Sequence, residues 1–167
     1  MRRMFLMTAV ACAAVLFGLN AHAQQPGSPA PPPAPPYGSP ITLEQAKKVA
    51  AAAEAEARKN NWTEAVAIVE PNGQLVYFFK MDLTQYAAFN VAMDKAISSA
   101  LFRRPTTAFE AGIRAGNLYL FNLRGMNAVP GGIPIVVDGK IIGGIGASGG
   151  SGDQDVQVVT AGVAALK

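Results

Sequence analysis

The sequence predicts an α/β domain of the α+β kind, in which a mostly antiparallel sheet is covered by helices. Two turn signals, Pro71-Asn72-Gly73 and Asp138-Gly139, each join a pair of short apolar runs, the pattern of a β-hairpin. Helix start signals stand before the first hairpin and after the second, and no segment repeats another. Strands arriving as hairpins pair antiparallel, and the helices around them have one sheet to cover.

Arg2 and Arg3 precede an apolar stretch, about Met4 to Leu19, and Ala21-His22-Ala23 has the form of a signal-peptidase site. Residues 1–23 are therefore read as a secretory signal peptide, with the mature protein expected in the periplasm or secreted. The apolar core continues past Cys12, which argues against lipid attachment there, and no later run has membrane-spanning length. Cleavage removes the only cysteine, Cys12, and the only histidine, His22. A cysteine nucleophile, a His-based triad, a Cys/His zinc site and a proximal-His haem are then excluded, and no metal site is expected. Of 14 basic residues, losing Arg2 and Arg3 leaves 12 against 11 acidic ones, about +1. Such a balance lacks the electrostatic footprint of a nucleic-acid binder.

Residues 24–40, "QQPGSPAPPPAPPYGSP", carry eight prolines in seventeen positions and predict an extended spacer that makes few folded contacts. The folded domain is expected over 41–167, long enough for one core without disulfides. Thr42-Leu43-Glu44-Gln45 has the pattern of a capping box, opening an alanine-rich helix to about Asn60 with Leu43, Ala46, Ala50, Ala53 and Ala57 as its packing stripe. "EAVAIVE" and "QLVYFFKM" form the first hairpin. A second helix is predicted from about Gln85 to Phe102, stopping before Pro105, and a short third one is capped by Thr107 with Glu110. "NLYLFNLRG" alternates as a strand would, and "IPIVV" with "KIIGGIGA" makes the second hairpin. The last helix, about Gln154 to Leu166, puts Val156, Val159, Val163 and Leu166 on one face.

Gly144, Gly146 and Gly149 spell G-x-G-x-x-G. A dinucleotide turn needs a following strand and an acidic residue about 20 positions on to hold the ribose, and no Asp or Glu follows Asp155. The glycines are instead read as a strand end where backbones approach closely, with Ser151 or Asp153 capping the last helix. Ser148 and the Gly149-Gly150 amides could hold a carboxylate at that helix start, but Asp153 and Asp155 already complement its dipole, so the cap is preferred.

"ITLEQAKKVAAAAEAEARKNN", "AVAIVEPNGQLVYFFKMD", "AMDKAISSALFRRPT" and "PGGIPIVVDGKIIGGIGASGGSGDQDVQVVTAGVAAL", in that order, resemble the GlcG/HbpS-like haem-degrading domain family, which includes the C-terminal domain of PduO. The resemblance covers essentially all of residues 41–167. It implies a profilin-like, three-layer α/β/α fold on a five-stranded antiparallel sheet, usually assembled as a homo-oligomer, with haem bound by some members.

The basic residues, the glycine backbones and the helix start make Lys95, Arg103, Arg104, Thr106, Gly131, Gly132, Ser148 and Gly149 the candidate ligand-binding residues. Each has a plainer role: the basic group near the end of the second helix also compensates its dipole, and Gly131-Gly132 equally suits a simple turn. Three functions stay open. One is an exported small-molecule-binding protein for haem or a related anionic cofactor. The second is a haem-degrading or small-metabolite redox enzyme, although no catalytic motif places a general base. The third is an oligomeric interaction protein without a ligand. Without histidine, any haem would be held mainly by its propionates and apolar faces, with Tyr as the available oxygen ligand.

Overall fold

The computed structural model describes residues 33–166; the signal peptide expected at 1–23 lies outside them, as does the spacer up to Pro32. Four strands form one antiparallel sheet in the order β2-β1-β4-β3: β1 Ala65–Val69, β2 Leu75–Lys80, β3 Gly132–Val137 and β4 Lys140–Ser148. Helices α1 (Leu43–Lys59) and α4 (Gly152–Ala164) cover one face, and α2 (Ala88–Phe102) covers the other. The period of two in β1 divides its side chains between the layers. Val66 and Ile68 pack with Val49, Ala53, Ile145 and Val159 on one side, and Ala65, Ala67 and Val69 with Ala88, Ala92, Ala96 and Ala100 on the other. Both faces being covered, all five β1 residues are buried. This is the three-layer α/β/α arrangement.

Local chemistry accounts for most boundaries. Thr42 and Gln45 close a reciprocal capping box on α1, and Ser151 and Gln154 do the same for α4. Asp138 and Gly139 both have positive φ, +50° and +71°, as a type I′ turn requires. Gly144 and Gly146 let α2 approach β4: a Cβ on Gly144 would lie 2.5 Å from the Ala96 carbonyl oxygen, and one on Gly146 would collide with the Ala92 carbonyl. The G-x-G pair is thus a helix–sheet contact within the core.

Several expectations need correction. Among the described residues the sheet has four strands, not five, because Leu118–Asn122 is a 3-10 turn rather than a strand. Only Leu120 of that segment is buried, against Gly112 of α3 (Thr106–Arg114), while Leu118, Tyr119 and Phe121 are exposed. Alternation there had no sheet edge to join. Leu43 is exposed, and Val49 takes its place in the buried stripe of α1. Thr107 does not cap α3: Pro105 occupies the N-cap without a side-chain bond, and Glu110 instead pairs with Arg114 one turn on.

The end of the proline-rich segment also departs from a free spacer. The Pro36 carbonyl accepts from the Ile141 amide, Gly38 donates to the Ile141 carbonyl, and Tyr37 forms a parallel bridge with Ile141. Since β1 pairs with β4 only over Gly144 to Ser148, this strap lies along the part of β4 that β1 leaves open. The Tyr37 hydroxyl also lies within donating distance of the Ala100 and Leu101 carbonyls, at 3.1 and 2.9 Å, in the last turn of α2.

Candidate functional site

Lys95 lies on the small-residue face of α2 with Ala88, Ala92, Ala96 and Ser99, and is only 1% exposed. Its ammonium donates to Asp155 Oδ2 at 2.5 Å and to the Ala147 carbonyl at 2.9 Å. Asp155, in the first turn of α4, accepts from the Gly150 amide through its other oxygen at 3.2 Å. Beside this pair lies Glu64, fully buried immediately before β1. Burial, and then the negative charge of Asp155, push Glu64 up to about 8, with Lys95 opposing. Burial also raises Asp155, against the lowering effect of the Lys95 contact.

The glycines fit around these side chains. A Cβ on Gly131, whose φ is +114°, would lie 2.5 Å from Asp155 Cβ and 3.0 Å from Lys95 Nζ. The Gly132 amide donates to Thr106 Oγ1 at 3.1 Å, and a Cβ there would collide with the Lys95 carbonyl. Ser148 is the last residue of β4, paired with Ala65, and a Cβ on Gly149 would collide with the Thr63 carbonyl. Five of the expected residues, Lys95, Thr106, Gly131, Gly132 and Gly149, therefore make close internal contacts around the ends of β3 and β4, with Ser148 in the ladder beside them. In particular, Lys95 is not an open anion clamp, because its charge is committed to a buried carboxylate.

Arg103 and Arg104 are separated from that network. Arg103 ends α2 in the left-handed conformation, φ +55°, where its N–H donates back to Ala100. Both guanidinium groups are exposed: Arg103 lies 5.5 Å from the Tyr37 ring centroid and Arg104 5.4 Å from that of Phe109. Among the described residues neither has a carboxylate partner. Their remaining contacts are with backbone carbonyls, Arg103 donating to Pro35 at 3.5 Å and Arg104 to Phe102 at 3.3 Å.

The model of the family described as "Haem degrading protein HbpS-like" matches residues 41–164. The chain belongs to the HbpS-like family. Protein GlcG of Escherichia coli is 36% identical over 108 residues, covering 65% of this chain and 81% of GlcG. The crystal structure of a double mutant of Streptomyces reticuli HbpS superposes with a TM-score of 0.73 at 28% identity, covering 96% of this chain and 99% of that one. A PduOC:heme complex shares the fold, with a TM-score of 0.70 at 23% identity over 77% of this chain and 96% of the other.

Within this HbpS-like domain the sequence reading missed Glu64 and assigned Asp155 only to the helix dipole. A signal was present: Glu64 immediately precedes a strand without a polar residue, and Lys95 interrupts the alanine face of α2. A charge on an otherwise buried face requires a partner. Which acid supplied it depended on bringing positions 95 and 155 together.

Proposed function

We propose that this HbpS-like protein is an exported binder of haem or a related flat, anionic cofactor and works as a homo-oligomer. The observation that carries the binding reading is the exposed Arg103 and Arg104 pair, each over an aromatic ring and without an acidic partner among the described residues. Family membership supports haem as the ligand class. Export rests on the charged, apolar and A-x-A pattern of residues 1–23.

The donor set fits the edge of haem better than its iron. Residues 33–166 hold neither histidine nor cysteine, and the Tyr37 hydroxyl is engaged by two backbone carbonyls. Propionates would be held by Arg103 and Arg104, with Tyr86 and Tyr119 as exposed oxygen donors elsewhere on the surface. Leu118, Tyr119 and Phe121, each more than 60% exposed, provide apolar area for subunit contact. Light scattering on the purified protein should give a multiple of the monomer mass; a monomer would overturn the assembly reading.

Hemin titration of protein without a polyhistidine tag tests the ligand. A high-spin Soret band that weakens with salt and with Arg103→Ala plus Arg104→Ala is expected. A low-spin six-coordinate spectrum, or binding indifferent to both substitutions, would overturn this placement. The family description favours one alternative, a haem-degrading enzyme, which predicts bleaching of the bound Soret band with reductant and oxygen. Absence of hemin binding would favour a ligand-free interaction protein.

A further inference from the structure

Glu64 is 0% exposed, and neither of its carboxyl oxygens has a hydrogen-bond partner. The turn leading into α4 passes directly over it: a Cβ on Gly149 would lie 3.0 Å from Oε2, and one on Gly150 3.1 Å from Oε1. The nearby donors serve other acceptors. Lys95 donates to Asp155 and Ala147, and the Gly150 amide to Asp155. An ionised Glu64 would thus be a buried charge beside a second carboxylate, with one ammonium between two acids.

A protonated Glu64 reverses that balance, since the acid becomes a donor and the neighbouring Asp155 carboxylate an acceptor. We propose that Glu64 is a proton-held latch: at neutral pH it donates its proton to Asp155, completing a net-neutral Lys95–Asp155–Glu64 chain that holds the Gly149-Gly150 turn and the start of α4 against β1, and losing that proton loosens the turn. The charged groups acting on Glu64 are Asp155 from α4 and Lys95 from α2; the other side chain close to the turn, Gln154, is neutral. Burial and the Asp155 charge both favour the protonated form, and Lys95 keeps the negative charge on Asp155. The latch is independent of whether haem binds.

Infrared spectroscopy of the purified full chain, isotopically labelled in glutamate, tests the protonation directly. The other five glutamates all reach solvent, so a glutamic-acid carbonyl band at pH 7 can come only from Glu64. The band should be present at pH 7, titrate away around pH 8, and be absent from Glu64→Gln. Amide exchange reads the latch itself: Gly150 protection should fall by about tenfold or more across that titration, after correction for intrinsic base catalysis, and stay level in Glu64→Gln. No glutamic-acid band at pH 7, or Gly150 protection unchanged as the band disappears, would overturn the proposal. Both measurements on the unsubstituted protein stand if Glu64→Gln does not fold.

Discussion

Lys95 on α2 and Asp155 on α4 meet at 2.5 Å with side chains 1% and 4% exposed, so a water-shielded ion pair joins helices that cover opposite faces of the sheet. Both charges lose their hydration on folding, and their attraction and hydrogen bonds have to offset that loss. Removing one partner alone would leave the other as an uncompensated buried charge. Gly131 and Gly150 belong to the same arrangement, one leaving room for the pair and the other donating to it.

Lys95→Met should therefore destabilise the fold by about 3–5 kcal/mol, because it strands the Asp155 charge. The double substitution Lys95→Met with Asp155→Leu should cost less than that single change, since it removes both charges. Urea denaturation of the variants measures this, and equal or additive losses would contradict it.

Stability should decline as pH rises. Glu64 in the folded protein is pushed up to about 8 from an ordinary 4.5, so the folded state retains a proton that the unfolded chain has released. The resulting stabilisation is complete below about pH 4.5 and is lost as pH climbs through about 8, on the order of a few kcal/mol. Asp155, also raised, acts in the same direction, while partly buried Glu56 is lowered and acts oppositely. Denaturation midpoints at pH 6 and pH 9 should differ in unsubstituted protein, and the difference should shrink in Glu64→Gln.

The strap should contribute measurably to stability. Tyr37→Phe removes a hydroxyl positioned by the Ala100 and Leu101 carbonyls and should cost about 1 kcal/mol; Tyr37→Ala, which also removes the ring beneath Arg103, should cost about 2 kcal/mol. Deleting residues 24–32 should leave the melting temperature unchanged, given their proline-rich composition. Thermal melts of the three variants separate the docked part of the segment from the remainder.

Gly144→Ala should be among the most damaging one-carbon changes. The added methyl meets the Ala96 carbonyl at 2.5 Å and Ala100 Cβ at 2.9 Å, so α2 must move away from β4. A loss of about 1–3 kcal/mol is expected, the scale of core overpacking. Gly139→Ala meets nothing within 4 Å, and its cost is confined to backbone strain at φ +71°. Comparing the two by denaturation checks whether close packing or backbone conformation dominates.

Both hairpins and the capped ends of α1 and α4 were legible because their signals are local: Asp138-Gly139 sets its own turn, and Thr42 with Gln45 and Ser151 with Gln154 cap their own helices. The family pattern was likewise readable over the folded domain. "NLYLFNLRG" misled because alternation makes a strand only where an edge offers a ladder, and here Leu120 found Gly112 instead. Proline content likewise suggested a detached spacer through residue 40, yet Pro36 and Gly38 bond the stretch of β4 that β1 does not reach.

By itself, the sequence determined the element order around two turns, the small-residue faces that permit close layers, and a folded domain without histidine or cysteine, because these depend on neighbours a few positions apart or on composition alone. Tertiary structure decided that Lys95 is consumed by Asp155 while Arg103 and Arg104 face outward, and that Glu64 lies beneath the turn into α4. Residues so far apart in the chain acquire their electrostatic partners only when the sheet and its two helical layers close, and burial then sets which charges need a partner inside the fold.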